Sequence, residues 1–240
     1  TAFLAVGSKA AGFAVLVNLM AGPFAPMREV TVPLLSAIAV VTVLYGNLAA
    51  LGQAHLKRLM ALSGISHAGY LLLGVTAVAA GVTSAGVSVI FYLLTYLFGS
   101  FCVFGVMSYV AGVRDEQQEI NQYRALGKHQ PFLATVLTIG LASLAGIPPL
   151  AGFIGKVMLF VSAFEAQLYV PLGAAIIGVV ISIYYYFGWI RMTLFADDSA
   201  APEAAHASLQ LTFDQKFAIS IMAGAVLLLG FYQGGWTAAS

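Results

Sequence analysis

Charge is what this sequence has least of. Lys, Arg, Asp and Glu make up 8% of its 240 residues, against about 25% in an ordinary soluble domain. That scarcity excludes a soluble globular fold. The net charge of +1 excludes a nucleic-acid partner, which would require a basic face. Cysteine occurs once, at Cys102. A disulfide framework and a cysteine-held zinc or iron–sulfur site are therefore excluded, and no other metal-ligand spacing is present. A lone cysteine in an apolar run is usually packing rather than chemistry. The sequence also lacks a glycine-rich phosphate loop, a haem pair and a hydrolytic constellation. It offers no catalytic residue and no cofactor site for redox or hydrolytic chemistry of its own.

What is present is hydrophobic. Such residues form 61% of the chain, and mean hydropathy is +0.96. This is an all-α integral membrane protein, because apolar runs of about 20 residues span a bilayer as helices. Breaks at Gly, Pro and charge divide it into seven runs, at roughly 1–21, 31–51, 57–79, 86–110, 131–165, 170–195 and 214–234. Two loops are longer and polar, 112–130 and 196–216. The other connections are short, so the helices they join are expected to be antiparallel neighbours. The chain begins at Thr1 inside an apolar run with no charged leader. That reads as a fragment rather than a signal peptide. Lys57, Arg58, Arg114, Arg124, Lys128, Arg191 and Lys216 fall on one side and Arg28 on the other. The basic side is expected to face the cytoplasm.

The fifth run raises a problem of length. Between Gln130 and Glu165 lie 34 residues whose only charge is Lys156. As one straight helix they would reach about 51 Å, while the hydrocarbon core is about 30 Å thick. Pro148 and Pro149 interrupt the run, and Gly146 and Gly152 flank them. Proline removes a helical hydrogen bond and clashes with the preceding turn. The expectation is a discontinuous helix of about 12 residues on each side of a short unwound step. Unwound backbone at membrane depth is tolerated beside protein or a water-filled cavity, and transporters hold ions there. The alternative is a plain proline kink.

Three ionisable residues sit where lipid would be. Lys156 is seven residues past Pro149 and nine before Glu165, too deep to reach either surface easily. A lysine at mid-membrane costs about 2.5–3.5 kcal/mol even on lenient insertion scales. Burial disfavours the charged form, so such a lysine can gain and lose a proton at little cost. Lys9 stands alone among Ser8, Ala10, Ala11 and Gly12, about 21 Å along a helix from Pro23. For both lysines the alternative is a fixed ion pair. His67 follows Lys57 by ten residues, about 15 Å of helix. Ser63, Ser66 and Tyr70 suggest a polar face around it. It is a candidate proton carrier, or a buried histidine with a satisfied ring. Lys57 and Arg58 are either interfacial anchors or an entry for protons. The aromatic stretch 184–187 reads mainly as an interfacial belt, with Tyr184, Tyr185 and Tyr186 as a group, Tyr184 first, candidates for a tyrosine on a water path.

Four stretches carry a resemblance. "GNLAALGQAHLKRLMALSGISHAGYLLLG" (46–74) resembles the antiporter-like membrane subunits of respiratory complex I. "FYLLTYLFGSFCVFGVMSYV" (91–110), "SLAGIPPLAGFIGKVMLF" (143–160) and "ISIYYYFGWIRM" (181–192) are most similar to the subunit N family of NADH–quinone oxidoreductase. The resemblance covers essentially the whole chain. It implies two inverted five-helix repeats, each with one broken helix. Residues 1–22 would be the last helix of the first repeat, 31–195 the second repeat with its break in 131–165, and 214–234 a C-terminal helix. The chain would then be the C-terminal half of the subunit. Lys9 matches the central relay lysine, Lys156 the terminal one, His67 a histidine between them, and Lys57 a lysine at the cytoplasmic end.

The resemblance further implies proton translocation driven by redox chemistry in other subunits. Those subunits would carry NADH, FMN, iron–sulfur clusters and quinone. Partners would be neighbouring membrane-arm subunits and lipid in a hetero-oligomer. The membrane would be the bacterial cytoplasmic membrane or an organellar inner one. Two rivals share the features: a cation/proton antiporter or membrane-bound hydrogenase subunit, and a structural subunit whose lysines only pair charges.

Overall fold

The computed structural model describes residues 2–111, 119–196 and 212–231. Arg114 and most of the second polar loop lie outside these residues. The protein is helical: α1 Ala2–Ala21, α2 Arg28–Ala50, α3 Leu56–Ala79, α4 Ala85–Ala111, α5 Leu126–His129, α6 Pro131–Ala145, α7 Ala151–Glu165, α8 Tyr169–Phe195 and α9 Phe213–Phe231. Among the described residues, β pairing is confined to an isolated bridge between His55 and Glu119. Five helical stretches are long and apolar enough to cross a membrane. The shorter apolar helices Val6–Ala21 and Pro131–Ala145 accompany them, the second continued by α7 beyond the break.

Lipid tails are as apolar as leucine, so these helices are held by close packing more than by the hydrophobic effect. Glycine permits the approach. A Cβ on Gly46 would lie 2.5 Å from the Ser66 backbone nitrogen, and one on Gly69 would lie 2.8 Å from that of Val43, so α2 and α3 meet backbone to backbone. In the same way α4 and α6 meet at Gly99 and Gly140. The buried apolar residues form two clusters. One includes Leu59, Val106, Leu137 and Trp189, the other Val43, Leu73, Val89 and Leu159. Buried polar residues Asn47, Ser63, Ser66, His67, Thr95, Ser143 and Lys156 lie along the helices that carry both clusters.

The broken helix crosses once, alongside antiparallel α4. Gly140 packs on Cys102 and Val103, Leu144 on Gly99, and Gly155 on Tyr92 and Thr95. Beyond them Ser162 Oγ lies 3.0 Å from Ser88 Oγ, and Glu165 accepts from Ser84 at 3.4 Å. The excess length is absorbed by overlap. Gly152 at the start of α7 lies directly against the Ser143 carbonyl near the end of α6. Two 15-residue helices thereby cover the same reach as the 27 residues of α4, about 40 Å.

Gly152 is therefore where packing is least forgiving, because an added Cβ would collide with backbone rather than with a movable side chain. Gly152→Ala should destabilise the protein by about 1–3 kcal/mol, read as a lower thermal midpoint in detergent. Gly173→Ala, which meets open space, should leave the midpoint unchanged or slightly higher.

Candidate functional site: a lysine–tyrosine–histidine interior

The site begins at the end of α6. The last four carbonyls of any helix lack partners within it. Here Gly146, in the left-handed conformation at φ 85°, closes the helix. Its N–H donates to the Ser143 carbonyl at 3.0 Å, and the Ile147 N–H to that of Ala142 at 2.9 Å. This is the glycine-terminated cap of a helix end, and it satisfies two of the four carbonyls. The other two belong to Leu144 and Ala145. Their normal donors would be the amides four residues on, which are Pro148 and Pro149. Proline has no N–H. Lys156 fills both vacancies: its Nζ donates to Leu144 O at 2.9 Å and to Ala145 O at 2.8 Å. Buried carbonyls must be paired, and an ammonium at a helix C-terminus also meets the negative end of the macrodipole. The Ser143 hydroxyl completes the step by accepting from the Gly152 N–H at 3.1 Å.

Lys156 is 3% exposed. Its Nζ also lies 5.2 Å from the centre of the Tyr70 ring, within cation–π range. Lys9 repeats the scheme. Its Nζ donates to the Gly64 carbonyl of α3 at 2.8 Å and lies 5.6 Å from the centre of the Tyr96 ring. A glycine makes room in each case. A Cβ at Gly64 would lie 2.8 Å from Lys9 Nζ, and one at Gly146 would lie 3.2 Å from Lys156 Nζ. Among the described residues, no carboxylate contacts either lysine.

His67 sits between them, midway along α3 and 2% exposed. Its ring packs on Tyr96 with centroids 4.7 Å apart and meets Tyr70 edge-on at 6.0 Å. The order through the interior is therefore Lys9, Tyr96, His67, Tyr70, Lys156. Each ring nitrogen faces a tyrosine hydroxyl: Nδ1 lies 2.6 Å from Tyr92 Oη, and Nε2 lies 3.4 Å from Tyr186 Oη. A second network adjoins. Asn47 Nδ2 donates to Val43 O at 2.9 Å and to Tyr70 Oη at 3.4 Å, and the Tyr185 hydroxyl donates to Asn47 Oδ1 at 3.1 Å.

The structure thus brings Lys9, His67 and Lys156 together with the broken helix at Gly146, Pro148 and Pro149. It does not bring in Lys57, which is half-buried in the first turn of α3. Of the tyrosines at 184–186, Tyr184 is 73% exposed on the outer face of α8, whereas Tyr185 and Tyr186 are buried, because successive helical residues point about 100° apart. Ser63 and Ser66 bond to carbonyls of their own helix, Met60 and Ser63, and also meet the hydroxyls of Tyr186 and Tyr185 across the bundle. The sequence reading missed Asn47, Tyr92 and Tyr96. The available signal was a lone amide in an apolar helix, and two tyrosines four residues apart in a run with no charge.

Comparison with known proteins settles the class. The profile of a membrane family described as NADH:quinone oxidoreductase/Mrp antiporter matches residues 1–182. The chain belongs to that family. It is 49% identical over 239 residues to NADH-quinone oxidoreductase subunit N 1 of Opitutus terrae, covering 98% of this chain and 47% of that protein. A chain in a structure of respiratory complex I from Thermus thermophilus superposes with TM-score 0.70 at 29% identity, over 84% of this chain and 44% of that one. A chain of the Mrp complex from Dietzia shares the fold at TM-score 0.77 and 20% identity, over 95% of this chain and 49% of that one. The chain spans about half the length of the curated relatives it matches. The resemblance to the antiporter-like subunit N family, read from residues 46–74, 91–110, 143–160 and 181–192, is borne out.

The capping role of Lys156 is testable by itself. Lys156→Gln retains a hydrogen-bond donor for the proline-vacated carbonyls, and Lys156→Met does not. The Met variant should be less stable than the Gln variant by about 1–3 kcal/mol, measured by thermal unfolding in detergent.

Proposed function

We propose that this chain is part of a proton-translocating membrane-arm subunit of NADH–quinone oxidoreductase, with Lys9, His67 and Lys156 as successive proton carriers. The observation that carries the reading is their alignment: two ammonium groups that no carboxylate contacts among the described residues, on either side of one buried imidazole. A purely structural ion pair would need a carboxylate, and the described residues place none at either lysine. Lys57, in the first turn of α3, would stand at the cytoplasmic end of the route.

The geometry around Lys156 suits reversible loss of a proton. An ammonium has three N–H donors. Two are held by Leu144 O and Ala145 O, and the remaining side of the group meets the Tyr70 ring. A neutral amine keeps two N–H groups, enough for both carbonyls. The third proton can leave without stranding a buried acceptor. Lys9, with one carbonyl partner, is less constrained. The energy would come from electron transfer between NADH and quinone in other subunits, where FMN and iron–sulfur clusters would also lie. It would reach this chain as a change in local field. A shift of one pKa unit is 1.36 kcal/mol, so a modest field change alters which carrier holds the proton. The partners would be the neighbouring membrane-arm subunits of a hetero-oligomer in the bacterial cytoplasmic membrane, basic loops inward.

Lys156→Ala in the assembled complex, followed in sealed vesicles, should lower the protons translocated per NADH oxidised. Unchanged stoichiometry would remove Lys156 from the route.

A further inference from the structure

Neither ring nitrogen of His67 opens toward a lysine. Each faces a phenolic hydroxyl, and both hydroxyls belong to buried tyrosines. A proton entering or leaving this imidazole must therefore pass a tyrosine oxygen unless the ring turns. The shorter contact is to Tyr92 on α4, at 2.6 Å. Tyr92 also faces the broken helix: a Cβ on Gly155, the residue before Lys156, would lie 2.9 Å from Tyr92 Cδ2 and 3.3 Å from its Cα. Its ring meets that of Tyr70 edge-on at 6.3 Å, and Tyr70 carries the Lys156 ammonium on its face. One side chain thus touches the imidazole, the first turns of α7 and the tyrosine beside the terminal lysine. Tyr186, on the other nitrogen, comes from α8 and has Tyr185 at 4.6 Å between ring centroids.

We infer that the Tyr92 hydroxyl is the group through which His67 passes its proton toward Lys156. The inference rests on the proton-translocation reading above and adds a carrier to it. The exchange balances without any phenolate. Neutral His67 holds its proton on Nδ1 and donates it to the Tyr92 oxygen. A proton arriving at Nε2, from the Tyr186 side, makes the imidazolium. The Nδ1 proton then moves to a lone pair of the Tyr92 oxygen as the tyrosine's own O–H proton leaves on the Lys156 side. The products are a neutral tyrosine, a neutral histidine with its proton on Nε2, and an ammonium at Lys156, whose neutral amine takes up the released proton. No electrons change hands. The histidine ends in its other tautomer, so a turn of the ring or of the proton positions precedes the next transfer.

Tyr92→Phe keeps the ring, its packing on Gly155 and its edge contact with Tyr70, and removes only the oxygen. In the assembled complex in sealed vesicles, it should at least halve the protons translocated per NADH oxidised and change the solvent deuterium isotope effect on translocation. Tyr184→Phe, on the outer face, should do neither. If Tyr92→Phe translocates normally while Lys156→Ala does not, the proton bypasses Tyr92 and the inference fails, though the function stands. If both translocate normally, the function fails with it. Should Tyr92→Phe not assemble, 3,5-difluorotyrosine placed at position 92 retains the oxygen with a more acidic phenol. A changed translocation rate supports the role, and an unchanged rate overturns it.

Discussion

An ammonium group at mid-membrane depth must be solvated by something other than lipid, and that requirement organises this bundle. Water is excluded from the hydrocarbon core and isolated charge there is costly. The two lysines are solvated instead by main-chain carbonyls and by the faces of tyrosine rings. For Lys156 the need is mutual. Pro148 and Pro149 leave the Leu144 and Ala145 carbonyls without amide donors, and the lysine six residues into α7 supplies them. Helix break and charge each satisfy what the other lacks.

From this pairing the rest of the packing follows. The carbonyls can be reached only if α7 starts beside the end of α6, and Gly152 against Ser143 permits that overlap. The overlap in turn fits the long segment to one crossing alongside α4. α4 then places Tyr92 and Tyr96 around His67, while α3 supplies Tyr70 and the Gly64 carbonyl. Glycines at 64 and 146 hold the space the two ammonium groups occupy. The interior is polar but has few charges, and among the described residues no carboxylate contacts either lysine.

Much of this was legible in the sequence because membrane chains write their exceptions plainly. Lys9, Lys156 and His67 stand out when every neighbour is apolar, and two adjacent prolines in a run too long for one helix require a break. The hydroxyl groups were harder to see. Tyr92 and Tyr96 look like ordinary aromatic residues of an apolar helix until the fold turns them onto His67. Sequence proximity does not say which of the three consecutive tyrosines at 184–186 faces inward; the helical phase of α8 decides, and it selects Tyr185 and Tyr186. The match between Lys156 and the carbonyls vacated by the prolines emerges only from the three-dimensional overlap of α6 and α7.

The central claim is that Lys156 changes protonation while its two carbonyl hydrogen bonds persist. Time-resolved infrared difference spectra of the assembled complex, with lysine 15N-labelled and Lys156→Gln as the reference, read the ammonium and amine forms directly during NADH oxidation. The account predicts an amine signal from Lys156 that appears with turnover and disappears when turnover stops. A Lys156 that stays an ammonium throughout turnover would contradict it.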